Sequence, residues 1–148
     1  MTVVRTAVEV DAPPAKVWTV VADPAHLPHW NRHIESVEAV PEAGLSAGVT
    51  YVVVVRFVLV RARVKAEVVE WSPPFHARVR LSGPLAATVD TTIDPLPQGR
   101  SLLKHEVDYR FRGGALGRLA ARSLQFVGGA TYELRHGTMA QKRDVEAG

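Results

Sequence analysis

From Val49 to Phe111 apolar side chains recur at every second position, and a chain so patterned is committed to a sheet with one face turned to a core. Tyr51, Val53, Val55 and Phe57 share one parity. Val60, Ala62, Val64, Ala66 and Val68 then carry an apolar face against Arg61, Arg63, Lys65 and Glu67. The stretch from Val49 to Trp71 is longer than one strand, so a hairpin turn is placed around Val58 to Arg61, although no glycine or asparagine marks it. Ser72-Pro73-Pro74 is a loop. Phe75, Ala77, Val79 and Leu81 alternate with His76, Arg78, Arg80 and Ser82, and Gly83-Pro84 turns the chain again. Ala87, Val89, Thr91 and Ile93 form the next parity before Pro95 to Gly99, and Leu103, His105, Val107, Tyr109 and Phe111 the one after. Polar partners on the opposite parity imply an antiparallel sheet wet on one side.

Helical spacing bounds this sheet at both ends. Val4, Thr6, Val8 and Val10 oppose Arg5 and Glu9 in a first strand, Val3 to Val10. Asp11 is placed to cap a helix whose first turn carries Pro13 and Pro14, where missing N–H groups cost nothing. Val17, Trp18, Val20 and Val21 supply its apolar side, and Asp23-Pro24 stops it. A short second helix is expected over Ala25 to Trp30 and a strand over Ile34 to Val40. After Gly113-Gly114 the spacing predicts a helix from Ala115 to about Lys142, with Leu116, Leu119, Phe126, Val127, Ala130 and Leu134 in its apolar stripe. Gly128-Gly129 inside that helix costs about 1 kcal/mol per glycine relative to alanine. The pair reads either as close helix–sheet packing or as a kink that makes room for a ligand. Arg143 to Gly148 is expected to fray.

Two segments carry a family likeness. Asp11-Ala12-Pro13-Pro14 leading into Val17-Trp18, then Asp23-Pro24-Ala25-His26-Leu27-Pro28-His29-Trp30-Asn31, resemble the START-like (SRPBCC) superfamily of polyketide cyclases and dehydrases, lipid-transfer proteins and Bet v 1-like ligand binders. The order of one strand, two helices, six strands and a long helix matches that pattern over nearly the whole chain. The resemblance implies an α+β helix-grip fold: a curved antiparallel seven-stranded sheet around a long C-terminal helix, with two short N-terminal helices and a cavity between. It implies one domain over residues 1–148.

Composition narrows the function classes. At 148 residues the chain can bury a core without staples, and with no cysteine it can form neither disulfides nor thiolate metal sites. No apolar run is long enough to span a bilayer, and the N-terminus lacks a secretory pattern, so a cytoplasmic location is expected. The 18 Lys+Arg and 15 Asp+Glu leave a net charge of only +3, a mixed surface rather than a nucleic-acid face. No phosphate loop, dinucleotide fingerprint or Ser-His-Asp order is present, so no cofactor is expected. His26, His29 and His33 are interrupted by Pro28 and lack a carboxylate in sequence order, so no metal site is assigned to them. Glu133 and His136, three apart, read as a surface pair.

The chemistry-bearing candidates are the polar members of the apolar parities, since a buried polar group needs a partner or a purpose. They are Thr6, Tyr51, Thr91, His105 and Tyr109. His105 and Tyr109 share a face and are the catalytic candidates: a histidine exchanges protons near neutral pH, and a tyrosine hydroxyl bonds a carbonyl or enolate. The alternative is a core histidine satisfied by its neighbours. The resemblance places Trp30 and Asn31 at a cavity rim, where Trp30 stacks on a flat ligand and Asn31 bonds its edge, or else Trp30 plugs the sheet end and Asn31 caps a turn. Tyr51, Val53, Val55, Val64, Val89, Thr91 and Val107 complete the expected binding surface.

These readings converge on binding of a hydrophobic or aromatic small molecule, in the form of a polyketide cyclase or dehydratase, with a noncatalytic lipid or quinone carrier as the alternative. One further expectation concerns assembly. Val52, Val54 and Val58 lie opposite the core parity, and valines facing water invite a covering surface, here a homodimer.

Overall fold

The computed structural model describes residues 2–57, 60–111 and 129–148. The order is β1 (Thr2–Val10), α1 (Pro14–Val21), a 3-10 turn (Pro24–His26), α2 (Leu27–Trp30), β2 (Ile34–Glu38), β3 (Thr50–Phe57), β4 (Val60–Ser72), β5 (His76–Ser82), β6 (Leu85–Leu96), β7 (Arg100–Phe111) and α3 (Gly129–Ala147). The strands form one antiparallel seven-stranded sheet in the order β1-β7-β6-β5-β4-β3-β2. The hairpin is closed by pairing of Phe57 with Val60, and its expected turn residues, Val58 among them, lie outside the described residues. So do Gly113-Gly114, the first half of the expected helix from Ala115, and Gly128.

Register aligns the core parities into rows that cross the sheet. One row is Val4, Val107, Val89, Val79 and Val68, valine on five successive strands. On one side of it runs Thr6, His105, Thr91, Ala77 and Trp71, and on the other Thr2, Tyr109, Ala87, Leu81, Ala66 and Tyr51. Two tightly buried groups flank this area. Tyr51, Val53, Val55, Val64, Ala66 and Val68 form one; Val10, Ala12, Val17, Ile93, Leu103 and Val145 knit α1 and α3 to β1, β6 and β7 in the other.

Local differences from the sequence pattern have physical causes. Asp11 does not cap α1. Pro13 holds the cap position without a side-chain bond, and Asp11 instead donates its backbone N–H to Glu146 Oε2 at 2.8 Å. The capping carboxylate is Asp23, which accepts from the Ala25 N–H at 3.0 Å and starts the 3-10 turn. Strand β2 stops at Glu38 because Ala39 takes a left-handed backbone, φ 59°. Phe75 precedes β5 in the turn and is 49% exposed. The C-terminal tail does not fray: Val145 is fully buried, Lys142 Nζ donates to the Glu9 carbonyl at 2.8 Å, and the helix runs to Ala147.

The outer face of the sheet is laced with ion pairs, which bear on Val52 and Val54 among the valines expected to face water; Val58 lies outside the described residues. Arg63 pairs with Glu38 at 3.2 Å, and Arg61 pairs with Glu35. Because Glu38 stands beside Val52 and Arg63 beside Val54, that bridge spans β3 from edge to edge. Val54, on the strand this bridge crosses, is 6% exposed within the single chain. Val54 therefore gives no support to a dimer. No helix among the described residues is long and apolar enough to cross a membrane.

Candidate functional site

A cavity of about 320 Å³ lies between the sheet's inner face and α3. Its wall is mainly apolar: Val53, Val55 and Val64 on one side, and Val79, Val89 and Val107 of the valine row in the middle. Of the residues singled out in the sequence, Tyr51, Thr91, His105 and Tyr109 line it with Val53, Val55, Val64, Val89 and Val107, as do Trp30 and Asn31, placed at the rim by the family resemblance. Thr6 does not; it stands beside His105 on β1 but outside this lining. Among the described residues, α3 packs most closely on β1, α1 and α2, at one border of the sheet.

The polar groups fall into three stations. At the first, His105 Nδ1 lies 2.9 Å from Thr91 Oγ1 and His105 Nε2 lies 2.6 Å from Gln141 Oε1. With the Gln141 oxygen accepting, Nε2 carries the ring proton and Nδ1 accepts from the Thr91 hydroxyl. The ring is 7% exposed. Burial pushes its pKa below the usual 6.5, against the opposing pull of the Gln141 bond, so it is held neutral. The group ties β6 and β7 to α3.

Tyr51 and Tyr109 form the second station, in one row across the sheet. The Tyr51 hydroxyl has no hydrogen bond recorded among the described residues, and burial pushes its pKa up to about 12. It is a phenol O–H at every physiological pH, available to a ligand acceptor.

The third station is where α2 meets α3. Trp30 is 4% exposed and donates its Nε1–H to Asp144 Oδ2 at 2.8 Å, with His26 edge-on at 5.5 Å. Asn31 accepts the His33 N–H on Oδ1 at 2.9 Å. Both polar edges are thus engaged by the fold while the residues still line the cavity. Gly137 permits this contact: a Cβ there would stand 2.9 Å from the Trp30 carbonyl oxygen. His33 Nδ1 lies 3.3 Å from the Arg56 carbonyl and His26 Nδ1 3.0 Å from that of Val20, so the histidines of this segment turn to separate partners.

Glu133 was not legible as a site residue. It is not a surface partner of His136, which stacks on Tyr132 instead. It is 8% exposed, lines the cavity, and has Arg32 Nη2 at 3.0 Å. Thr138 and Gln141 were missed with it. Leu134, Thr138, Gln141 and Val145 recur at helical spacing, and this inward stripe is hidden from a hydropathy count because half of it is polar.

Comparison with known proteins agrees with this geometry. The family model described as polyketide cyclase / dehydrase and lipid transport matches residues 1–135. No curated protein sequence matches. Among solved structures, a protein of Deinococcus radiodurans is 20% identical at a TM-score of 0.74, covering 99% of this chain and 98% of its own. A START superfamily protein of Mycobacterium smegmatis is 19% identical at a TM-score of 0.67, over 98% of this chain and 97% of its own. Norcoclaurine synthase of Thalictrum flavum, solved with dopamine and hydroxybenzaldehyde, is 14% identical at 0.60, over 99% and 84%. These likenesses establish a START/Bet v 1-like fold.

Proposed function

This chain belongs to the polyketide cyclase, dehydrase and lipid-transport family, and on that premise we propose that it binds a flat hydrophobic small molecule in the cavity between sheet and α3. The observation that carries this reading is a preformed apolar cavity with few polar groups, the composition expected of a small-molecule site. Val53, Val55, Val64, Val89 and Val107 supply apolar contact, Tyr51 donates to a ligand oxygen, and Trp30 closes one end. Binding is favoured over acid–base chemistry because His105 is neutral and bonded through both nitrogens, and would have to give up Thr91 or Gln141 to exchange a proton.

The cyclase or dehydratase reading has its own support in Tyr51, Tyr109 and His105 lining one cavity. In that form the wall folds a poly-carbonyl chain, a tyrosine hydroxyl stabilises the enolate, and His105 moves the proton. Fluorescence of N-phenyl-1-naphthylamine with the purified chain tests the shared premise. Val89→Trp, which fills the middle of the cavity, should weaken its binding by about tenfold or more, as expected when ring contact is lost. Equal binding by wild type and variant would place the probe elsewhere and remove the reading.

A further inference from the structure

Resting on that reading of the cavity, we propose that Glu133 selects the ligand: its carboxylate receives a hydroxyl group carried by an otherwise apolar, uncharged molecule. An ionised carboxylate is acceptor only, with two oxygens to satisfy, and burial makes each lone pair costly to leave unserved. At 8% exposure on the cavity-facing side of α3, Glu133 has few donors to draw on. Both of its recorded neighbours are on Oε1: Arg32 Nη2 at 3.0 Å and His33 Nε2 at 3.9 Å. Neither contact has hydrogen-bond geometry at that oxygen. Oε1 is thus a buried acceptor that receives no hydrogen bond among the described residues.

The charge arrangement decides what kind of donor fits. Arg32 is 57% exposed and offsets the carboxylate from the solvent side, so a cationic ligand is not required for neutrality. An anionic ligand group would lie against a buried carboxylate and be repelled. An uncharged O–H satisfies Oε1 without adding charge to an apolar cavity, and the valine wall accepts the rest of the molecule.

The test uses 2-naphthol and 2-methoxynaphthalene, which share a ring system and differ in whether the oxygen can donate. Each is titrated as a competitor of N-phenyl-1-naphthylamine on the full chain. Wild type should prefer 2-naphthol by about 10-fold or more, the scale of a hydrogen bond to a charged acceptor. Glu133→Met removes the acceptor at similar length and should bring the preference for 2-naphthol over 2-methoxynaphthalene to near unity. Glu133→Gln keeps a neutral acceptor, should fall between, and serves if the methionine variant does not fold. No preference in wild type, or an undiminished preference in the variants, overturns the assignment. Failure of all three probes to bind would instead overturn the cavity reading, and this assignment with it.

Discussion

Replacing His105 by leucine separates a structural ring from a proton carrier. The substitution strips one partner each from Thr91 Oγ1, 2.9 Å away, and Gln141 Oε1, 2.6 Å away. An orphaned buried polar group costs about 1–3 kcal/mol, and leucine returns part of that as apolar contact, so a net loss of about 2–4 kcal/mol is expected near pH 8. The pH dependence discriminates further. Burial holds the folded-state pKa of His105 below its ordinary 6.5. As pH falls below 6.5 the unfolded chain takes up a proton at this position that the folded chain refuses, and stability declines by up to about 1.4 kcal/mol per unit. The contribution is fully present above that value and is lost toward the lower folded pKa. Leucine does not titrate, so the gap between wild type and His105→Leu should narrow from pH 7.5 to 5. Urea unfolding at half-unit steps reads the gap directly, and groups distant from residue 105 cancel in the difference. A constant gap would refute the buried neutral ring. A gap that widens toward acid would mean that the folded state prefers the imidazolium.

Two further outcomes follow from contacts outside that station. Gly137→Ala places a Cβ 2.9 Å from the Trp30 carbonyl oxygen, a backbone atom that cannot swing aside, so thermal or urea unfolding should show a loss of about 1–3 kcal/mol. A fully stable variant would show that α3 can slide freely past α2. Arg63→Ala removes the stem that crosses β3 to Glu38 and should uncover Val54, raising self-association in sedimentation at tens of micromolar relative to wild type. An unchanged sedimentation coefficient would show that something else shields that valine.

The sheet was legible because a half-buried strand writes its two faces in alternate residues. Val53, Val64, Val89 and Val107 needed only their parity to be placed on the cavity wall. Where parity stopped, so did the reading. Val54 sits on the outer parity yet is buried on a strand that an ion pair between its two neighbouring strands crosses, and a linear sequence does not reveal which strands are neighbours. The tail after Lys142 looked unanchored because Val145 stands alone among charges. Its burial comes from β1, β6 and α1, more than thirty residues away in the chain. Asp11 had the residue type of a cap but not the position, since two prolines pushed the helix start to Pro14.

Parity identifies which polar side chains face the cavity but not which of them the fold has already used. His105 and Tyr51 read alike in sequence: each is a polar residue between aliphatic residues on an inward parity. In the folded chain they part company. His105 meets a threonine one strand away and a glutamine on α3, both nitrogens are taken, and burial fixes it neutral. Tyr51 lies next to Ala66 in its row, too short to reach it with a donor or acceptor, and its hydroxyl has no recorded protein partner among the described residues. Glu133 resembles Tyr51 in this respect, since Oε1, though approached by Arg32 and His33, receives no hydrogen bond among the described residues. A buried group whose partner is protein contributes to stability, and one whose partner is missing lowers it until something binds. The two populations therefore predict opposite responses to ligand. Occupancy should stabilise the chain by satisfying Tyr51 and Glu133, while the Thr91–His105–Gln141 station should be as well bonded empty as filled.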